Sequence, residues 1–179
     1  MHAPEQLHTQ RLRLRKVEPA DALAIFNLYG QDTDVTRYLT WQPHQTLADT
    51  ETFLEFCQKS WSSGSGYPLV IERQSDGQLL GMIEPRPSGH KVEVGYVLGQ
   101  PYWGQGYMTE ALQVIIEWAW QQPELYRFWA VCDVENPGSW RVMEKAGMER
   151  EGTLRCLVKH PNIAERPRDC YVYSIVRDE

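Results

Sequence analysis

The sequence lacks the features that mark a membrane protein, a nucleic-acid-binding protein or a metalloprotein. No apolar run approaches the roughly 20 residues that a membrane-spanning helix needs, and residues 1–10 are polar, without the apolar core of a secretory signal. The net charge is −6 over 179 residues, which disfavours sequence-independent binding to nucleic acid. The four cysteines are widely spaced, with no C-x-x-C pair and no Cys/His cluster. These absences predict a cytoplasmic protein with reduced thiols, no resident metal, and neither a membrane nor a nucleic acid as its partner.

The sequence does contain the composition and patterning of a single globular domain over residues 1–179. Its hydrophobic fraction is 42% and its charged fraction 23%, which are ordinary values for such a domain. Alternating and β-forming residues predict seven strands, over 11–17, 67–73, 79–84, 91–98, 128–134, 150–158 and 169–176. Helical spacing and capping signals predict four helices, over 19–29, from the capping box at 46–49 to the Ser/Gly run at 62–66, over 109–121 and over 137–146. Turns are expected at Asp76-Gly77 and across Pro85, Pro87 and Gly89. This order of elements predicts a mixed α/β (α+β) fold and excludes both a Rossmann alternation and a TIM barrel.

Residues 99–106 form a loop rich in glycine and aromatic residues between a strand and a helix. Gly104 and Gly106 let the backbone approach a ligand and turn several N–H groups toward one point. The start of the following helix adds a positive partial charge, so the loop predicts an anion site suited to a diphosphate. Backbone donors would carry the binding, because no Lys or Arg lies inside the loop. A structural turn is the simpler alternative, and the phosphate-loop patterns G-x-x-x-x-G-K-[ST] and G-x-G-x-x-G are both absent.

Four segments, in order, resemble the GNAT acetyltransferase superfamily and its RimJ/RimL-like branch of N-acetyltransferases. Residues 9–15 (TQRLRLR) resemble its opening strand, 93–98 (EVGYVL) its fourth strand, 102–112 (YWGQGYMTEAL) its pyrophosphate loop and 136–148 (NPGSWRVMEKAGM) its last helix. Met108 departs from the pattern, because it stands where the superfamily usually has Gly or Ala. The resemblance implies a GNAT-like, mostly antiparallel central sheet of about seven strands flanked by about four helices. It also implies an acetyl-CoA-dependent N-acetyltransferase that acts by direct attack in a ternary complex.

The chemistry of acyl transfer directs attention to two carboxylates. An amine must be neutral to attack a thioester, and a lysine-like amine is mostly protonated at neutral pH, so a general base assists the reaction. Glu93 is the first candidate, because it lies on the strand that leads to the glycine loop, where some GNAT enzymes carry a catalytic glutamate. Glu84 on the neighbouring strand is the second candidate. The alternative interpretation is a surface or cross-strand carboxylate for Glu93 and a plain strand end for Glu84.

The resemblance further implies a coenzyme site built largely from backbone groups. The N–H of Val97 is the expected oxyanion donor, at a point where the strand is implied to splay from its neighbour. Ser139 matches a hydroxyl placed near the coenzyme sulfur, as a general acid or hydrogen-bond donor, and Asn136 matches the residue that binds the pantetheine arm. The simpler alternative is that Asn136 only caps the helix and Ser139 only occupies its first turn. The full set expected at the coenzyme is Val97, Leu98, Trp103, Gly104, Gln105, Gly106, Tyr107, Met108, Thr109, Asn136 and Ser139.

The acceptor side is the least determined by the sequence. Arg37, Tyr38 and Trp41 fall between the first two helices, which flank the acceptor pocket in this family, and are expected to line it. An aromatic core cluster is the alternative for the two rings. The acceptor is either a protein N-terminal α-amine or a small-molecule amine, and the chain is either a monomer or a homodimer. A catalytically silent acyl-CoA-binding regulatory module is the alternative function.

Overall fold

A computed structural model describes residues 3–177, so residues 1–2 and 178–179 of the expected domain lie outside the described part. Within residues 3–177, eight strands form one sheet in the order β1-β2-β3-β4-β5-β6-β8-β7. The strands are β1 Gln6–His8, β2 Leu12–Lys16, β3 Leu69–Arg73, β4 Leu79–Ser88, β5 Lys91–Leu98, β6 Arg127–Asp133, β7 Glu149–Val158 and β8 Arg168–Val176. The sheet is mostly antiparallel and mixed, because β5 and β6 run parallel while the other neighbouring pairs in this part of the chain are antiparallel.

The same described range contains five α-helices on the two faces of the sheet. They are α1 Ala22–Ile25, α2 Thr33–Thr36, α3 Leu47–Ser63, α4 Tyr107–Trp120 and α5 Pro137–Lys145. Short 3-10 turns lie at Pro19–Asp21 and Gln100–Tyr102, and a π-helical turn extends α1 over Phe26–Gly30. The expected mixed α/β fold is therefore confirmed. None of the helices between residues 3 and 177 combines the length and the apolar character that crossing a membrane requires.

Local sequence signals account for the long helices. Thr46 and Asp49 form the predicted capping box at the start of α3, and Gly64 ends that helix in the left-handed conformation, at φ 73. Asn136 caps α5 and Pro137 occupies its first turn, where a missing N–H costs nothing. The sequence patterns predict neither β1, which has three residues, nor α2, which is a single turn.

The predicted turn across Pro85 and Pro87 is wrong, because β4 continues through both prolines to Ser88 and the chain turns at Gly89, with φ 58. Proline lacks an N–H and is tolerated where the neighbouring strand makes no demand on that donor. Tyr67 N donates to Pro85 O at 3.0 Å. The backbone N–H and C=O groups of the odd-numbered residues in this part of β4 therefore point toward β3. β3 begins only at Leu69, so the nitrogen atoms of Pro85 and Pro87 lie beyond the start of that strand.

Two apolar clusters hold the helices against the sheet. On one face, α4 and α5 pack through buried residues such as Ile115 and Met143 against Leu14 and Ile83. On the other face, α1 and α3 pack through residues that include Ile25 and Leu54 against Val70 and Met82. The sheet is therefore buried on both sides along β3 and the first half of β4, whereas β5 is buried on one side and exposed or half-buried on the other.

Candidate active site

The glycine loop begins after β5 and ends at the first turn of α4. Gly104 has φ 73 and Gly106 has φ 80, a left-handed conformation that costs a residue with a Cβ about 1–2 kcal/mol. A Cβ on Gly104 would meet nothing within 4 Å, so backbone conformation and not space requires glycine there. Gly106 is the N-cap of α4 and brings no side-chain acceptor. The first N–H groups of α4 are consequently available to an external anion.

The side chains of the loop are held by contacts inside the protein. Trp103 Nε1 donates to Leu98 O at 2.7 Å, and Gln105 Nε2 donates to Pro101 O at 2.8 Å. Tyr107 and Met108 are buried, with exposed fractions of 7% and 4%. The bulk of Met108 therefore enters the core beneath the loop. With Thr109 half-buried in the first turn of α4, the groups that this segment offers an anion are backbone N–H groups.

β5 and β6 separate after a short parallel pairing. They pair at Lys91–Arg127, Val92–Phe128 and Glu93–Trp129. β5 then continues to Leu98 and β6 to Asp133, while β5 stays paired with β4 on its other side. The result is a wedge-shaped opening between β5 and β6 that leads to the glycine loop.

The register of β4 and β5 decides where the Val97 N–H points. Tyr67 donates to Pro85 O, so the even-numbered residues of β4 face β5 with their backbone groups. Val97 is paired with Met82, one of those even-numbered residues. The Val97 N–H therefore faces β4, and the expectation that it faces the opening is revised.

Contacts on the other side of β5 lead to the same assignment. His90 O accepts from Tyr126 N at 2.9 Å, and Leu98 O accepts from the Trp103 indole, so the even-numbered residues of β5 face away from β4. Tyr96 and Leu98 then carry the N–H groups that face the opening. The backbone polarity of the opening comes from these two positions.

Asn136 and Ser139 lie where α5 begins, beside the end of β6. Asn136 Oδ1 accepts from Ser139 N at 3.2 Å, so the capping role is realised. Ser139 Oγ lies 2.9 Å from Tyr96 Oη, and Tyr96 Oη also lies 3.2 Å from Ser139 O. Burial raises the pKa of Tyr96, which keeps its phenol protonated and able to donate. The Ser139 hydroxyl is thus held toward β5 by a side chain from the opposite wall of the opening.

The two candidate bases share one arginine. Arg86 Nη1 donates to Glu84 Oε2 at 3.1 Å, and Arg86 Nη2 donates to Glu93 Oε1 at 3.0 Å. A Cβ on Gly95 would lie 3.2 Å from Arg86 Nη2, so the guanidinium lies across that glycine. Burial raises the pKa of Glu84, and this effect exceeds the opposing attraction of Arg86. A raised pKa is the property that suits a carboxylate to proton transfer near neutral pH, and it favours Glu84 over a plain strand-end role.

The segment 36–41 is fastened over the end of β6. Tyr38 Oη donates to Glu135 O at 2.8 Å, next to Asn136, and the Arg37 guanidinium carbon lies 5.5 Å from the centre of the Tyr38 ring. Asn162, in the loop between β7 and β8, donates from Nδ2 to two carbonyls, Thr36 O at 2.7 Å and Trp41 O at 2.8 Å. The structure therefore holds Tyr38 against the end of β6, next to the residue that caps α5.

Trp41 lies apart from that contact. Its ring centre lies 5.0 Å from that of His44, whose ring centre lies 6.0 Å from that of Phe53. Trp41 also packs against the cluster under α1 and α3. This arrangement matches the aromatic-cluster alternative for Trp41, at the rim of the segment 36–41.

Three residues with clear positions in the site are not found from the sequence. Tyr96 reaches Ser139 across 43 positions, Asn162 reaches Thr36 across 126, and Arg11 reaches Gln105 across 94. Each contact is made by tertiary structure, so no local spacing indicates it. The one pattern in the sequence that bears on Arg11 is the RLRLR run at 11–15. Arg11 is the first residue of this run and comes directly before β2, outside the strand.

Comparison with known proteins gives the context for this geometry. Residues 11–149 match the family model of the acetyltransferase (GNAT) domain. The chain is 34% identical to the ribosomal-protein-serine acetyltransferase of Escherichia coli over 93 residues, which are 50% of this chain and 52% of the relative. A GNAT-family acetyltransferase from Bacillus anthracis, known from its crystal structure, is 31% identical with a TM-score of 0.83, covering 96% of this chain and 98% of the other. RimL, a ribosomal L7/L12 α-N-protein acetyltransferase, in complex with coenzyme A has a TM-score of 0.84 at 19% identity, covering 96% and 98%, which is a likeness of fold.

Proposed function

The chain belongs to the GNAT acetyltransferase family, in its RimJ/RimL-like branch, and we propose that it transfers an acetyl group from acetyl-CoA to a primary amine by direct attack in a ternary complex. The observation that carries the proposal is the opening between β5 and β6, which ends at a loop of two left-handed glycines and an uncapped helix start. In this proposal an extended amide-containing arm bonds to the backbone groups of β5 that β6 leaves unpaired beyond Glu93, and a diphosphate binds at the helix start. The coenzyme A bound to the structural relative RimL supports the same choice of ligand.

In this proposal the backbone of the opening binds the coenzyme. N–H groups of the glycine loop and of the first turn of α4 bind the diphosphate, and Asn136 and Leu98 bind the pantetheine arm. An N–H that faces the opening, at Tyr96 or Leu98, stabilises the negative charge that develops on the thioester oxygen. This assignment transfers to these positions the oxyanion role first expected of Val97.

Proton transfer is assigned to side chains on the two walls of the site. Glu84 or Glu93 removes a proton from the acceptor nitrogen, which becomes nucleophilic as its lone pair is freed. The nitrogen–carbon bond forms and the carbon–sulfur bond breaks. The excess proton of the nitrogen goes to the departing thiolate, either directly, with the Ser139 hydroxyl as a hydrogen-bond donor to sulfur, or through Ser139, which gives its proton to sulfur and is reprotonated from nitrogen. Tyr96, which holds that hydroxyl, is the neighbouring donor.

A direct attack is favoured over an acetyl-cysteine intermediate. Cys132 is the cysteine beside Ser139, but burial raises the pKa of its thiol to about 12. A thiol with this pKa is almost entirely protonated at neutral pH, and the protonated form is a poor nucleophile. The residues of the opening therefore supply no ready covalent carrier at this position.

The acceptor in this proposal is a protein N-terminal α-amine or a small-molecule amine. The name of the E. coli relative, a ribosomal-protein-serine acetyltransferase, supports the first class. Arg37 and Tyr38, on the segment fastened over β6, are the side chains assigned to the acceptor side, with Trp41 at its rim. The single domain over residues 1–179 and the cytoplasmic location stay predictions from the sequence.

The proposal is tested by blocking the loop and by measuring turnover. Gly106→Glu brings a carboxylate and a strained backbone to the anion site, and calorimetry should detect no acetyl-CoA binding. Gly152→Glu adds the same charge on the exposed strand β7, where a Cβ meets nothing within 4 Å, and should bind as the wild type does. Free-thiol release from acetyl-CoA with a panel of α-amines and small amines, with mass-spectrometric detection of products, then identifies the acceptor. Unchanged binding by Gly106→Glu would refute the site, and binding without turnover across the panel would favour a regulatory module.

A further inference from the structure

Arg11 lies far from the glycine loop in sequence but reaches it in the structure. Its Nη1 donates to Gln105 O at 3.1 Å. Its guanidinium carbon lies 4.4 Å from the centre of the Tyr107 ring, and its Nη2 lies 3.5 Å from the position that a Cβ on Gly106 would take. One side chain therefore contacts three consecutive residues at the junction of the loop and α4.

Glu110 fixes the direction of this side chain. Glu110 Oε2 accepts from Arg11 Nε at 2.6 Å, and Glu110 Oε1 accepts from the Arg11 backbone N at 2.9 Å. The Thr9 hydroxyl donates to the same Oε1. Glu110 lies in the first turn of α4, so the arginine is anchored to the helix whose N-terminus forms the anion site. Because the Nε and backbone N–H groups of Arg11 are both bound to Glu110, its Nη1 has little freedom to move away from Gln105 O.

The contact with Gln105 O determines where the next N–H points. Gln105 O and Gly106 N belong to one trans peptide unit, in which the C=O and N–H groups point in opposite directions. A guanidinium on the carbonyl side consequently keeps the Gly106 N–H on the far side. Within residues 3–177 this N–H has no hydrogen-bond acceptor. A charged donor on the carbonyl also polarises the peptide and strengthens the N–H as a donor.

We propose that Arg11 is a positioning residue for the coenzyme site: it holds the Gln105–Gly106 peptide so that the Gly106 N–H faces the diphosphate. This inference rests on the proposed function and assigns a role that the loop sequence itself leaves empty, since the loop has no cation of its own. The cation comes from the segment before β2 and acts from behind the loop. Its effect is confined to ligands that carry the diphosphate.

Arg13 offers a matched control two residues away. The side chains of Arg11 and Arg13 are 41% and 42% exposed, and each is paired with a carboxylate, Glu110 and Glu72 respectively. Glu72 keeps a second partner, Arg15, when Arg13 is removed. Arg13→Gln therefore reproduces the loss of one half-exposed charge without changing the loop.

The test compares acetyl-CoA with acetyl-pantetheine, a thioester that lacks the diphosphate. Arg11→Gln should weaken acetyl-CoA binding about tenfold, the effect of one charge-assisted hydrogen bond, and leave kcat/KM with acetyl-pantetheine at the wild-type value. Arg13→Gln should match the wild type with both ligands. Arg11→Lys keeps the charge but loses the fork of donors. Its affinity for acetyl-CoA should therefore lie between those of Arg11→Gln and the wild type.

Each contrary outcome has a separate meaning. Wild-type affinity for acetyl-CoA in Arg11→Gln, or an equal loss with both thioesters in Arg11→Gln and Arg11→Lys, overturns the positioning role. Thermal melts of all the variants identify any loss of folding. If Arg11→Gln does not fold, the affinity of Arg11→Lys for the two thioesters alone decides whether Arg11 has the positioning role. A wild-type protein that binds neither thioester refutes the proposed function itself.

Discussion

The phenol oxygen of Tyr96 lies 2.9 Å from the hydroxyl oxygen of Ser139, and this contact joins β5 to the first turn of α5 across the opening between β5 and β6. Neither residue needs the other for its local structure, because Tyr96 is a strand residue and Ser139 is already placed by the cap of Asn136. The contact instead fixes the hydroxyl in one orientation on the wall of the opening. A fixed donor at this point suits the release of a thiolate better than a freely rotating hydroxyl.

Tyr96→Phe should therefore lower kcat by about three- to tenfold, the usual effect of losing one hydrogen bond. Acetyl-CoA affinity should change little, because the ring and the backbone N–H of position 96 are retained. Ser139→Ala should lower kcat at least as much, and the double variant should lose no more than Ser139→Ala alone. Steady-state kinetics of the three variants test this coupling. Additive losses would show that the two hydroxyls act independently.

Glu84→Gln and Glu93→Gln separate the two candidate bases. Glu84 has a pKa raised by burial, so as the base it would lose activity when the pH falls through a value above the ordinary 4.5 of a glutamate. Glu84→Gln should then lower kcat by about 100-fold or more and abolish this acidic limb of the pH–rate profile, a typical effect of removing a general base. Glu93→Gln, which removes the other partner of Arg86, is the matched comparison. The reverse pattern would assign the proton transfer to Glu93, the first expectation from the sequence.

Asn162→Ala should weaken acceptor binding and leave coenzyme binding unchanged. The amide of Asn162 donates to two carbonyls of the segment 36–41, and its loss removes about 0.5–1.5 kcal/mol for each bond. The acceptor KM should rise several-fold, while acetyl-CoA affinity measured by calorimetry stays constant. Gln45→Ala is the control, because that amide donates to Pro43 O within its own segment. A rise in the acetyl-CoA Kd, or an equal effect of Gln45→Ala, would contradict a role on the acceptor side.

Glu151 should contribute stability that depends on pH in a defined window. The Arg127 guanidinium, with help from the Ser174 hydroxyl, lowers the pKa of Glu151 from 4.5 to about 2. Because the folded-state pKa is depressed, the stabilisation is complete above about pH 4.5 and declines as the pH falls toward 2. The difference in urea midpoint between the wild type and Glu151→Gln should therefore shrink from pH 7 to pH 3. Glu149→Gln removes a charge from the same exposed strand without touching Arg127, and a parallel decline there would indicate a general charge effect.

The sequence predicts those parts of the site that depend on neighbouring residues. Asn136 and Pro137 mark the start of α5 by cap chemistry, and Gly104 and Gly106 mark the loop by backbone freedom, so both segments are identified from the chain alone. The direction of an N–H on β5 depends instead on register with β4, and a shift of one residue exchanges Val97 for Leu98. That register is set by packing on both faces of the sheet, which local patterns do not encode. Arg11 illustrates the same limit, since its partner lies 94 positions away.

The brief pairing of β5 with β6 has a mechanical consequence. Five strands lie on one side of this boundary and three on the other. Within residues 3–177 the strand pairing that joins them is limited to Lys91–Arg127, Val92–Phe128 and Glu93–Trp129, with the N–H groups of Tyr126 and Arg127 also donating to His90 O. A ligand whose amides form hydrogen bonds to both β5 and β6 beyond Glu93 would link the two groups of strands. Binding of such a ligand in the opening should therefore slow amide hydrogen exchange along β6 and β8 as well as at the residues that the ligand contacts. The stability of the contact between the two groups of strands would then depend on a bound small molecule.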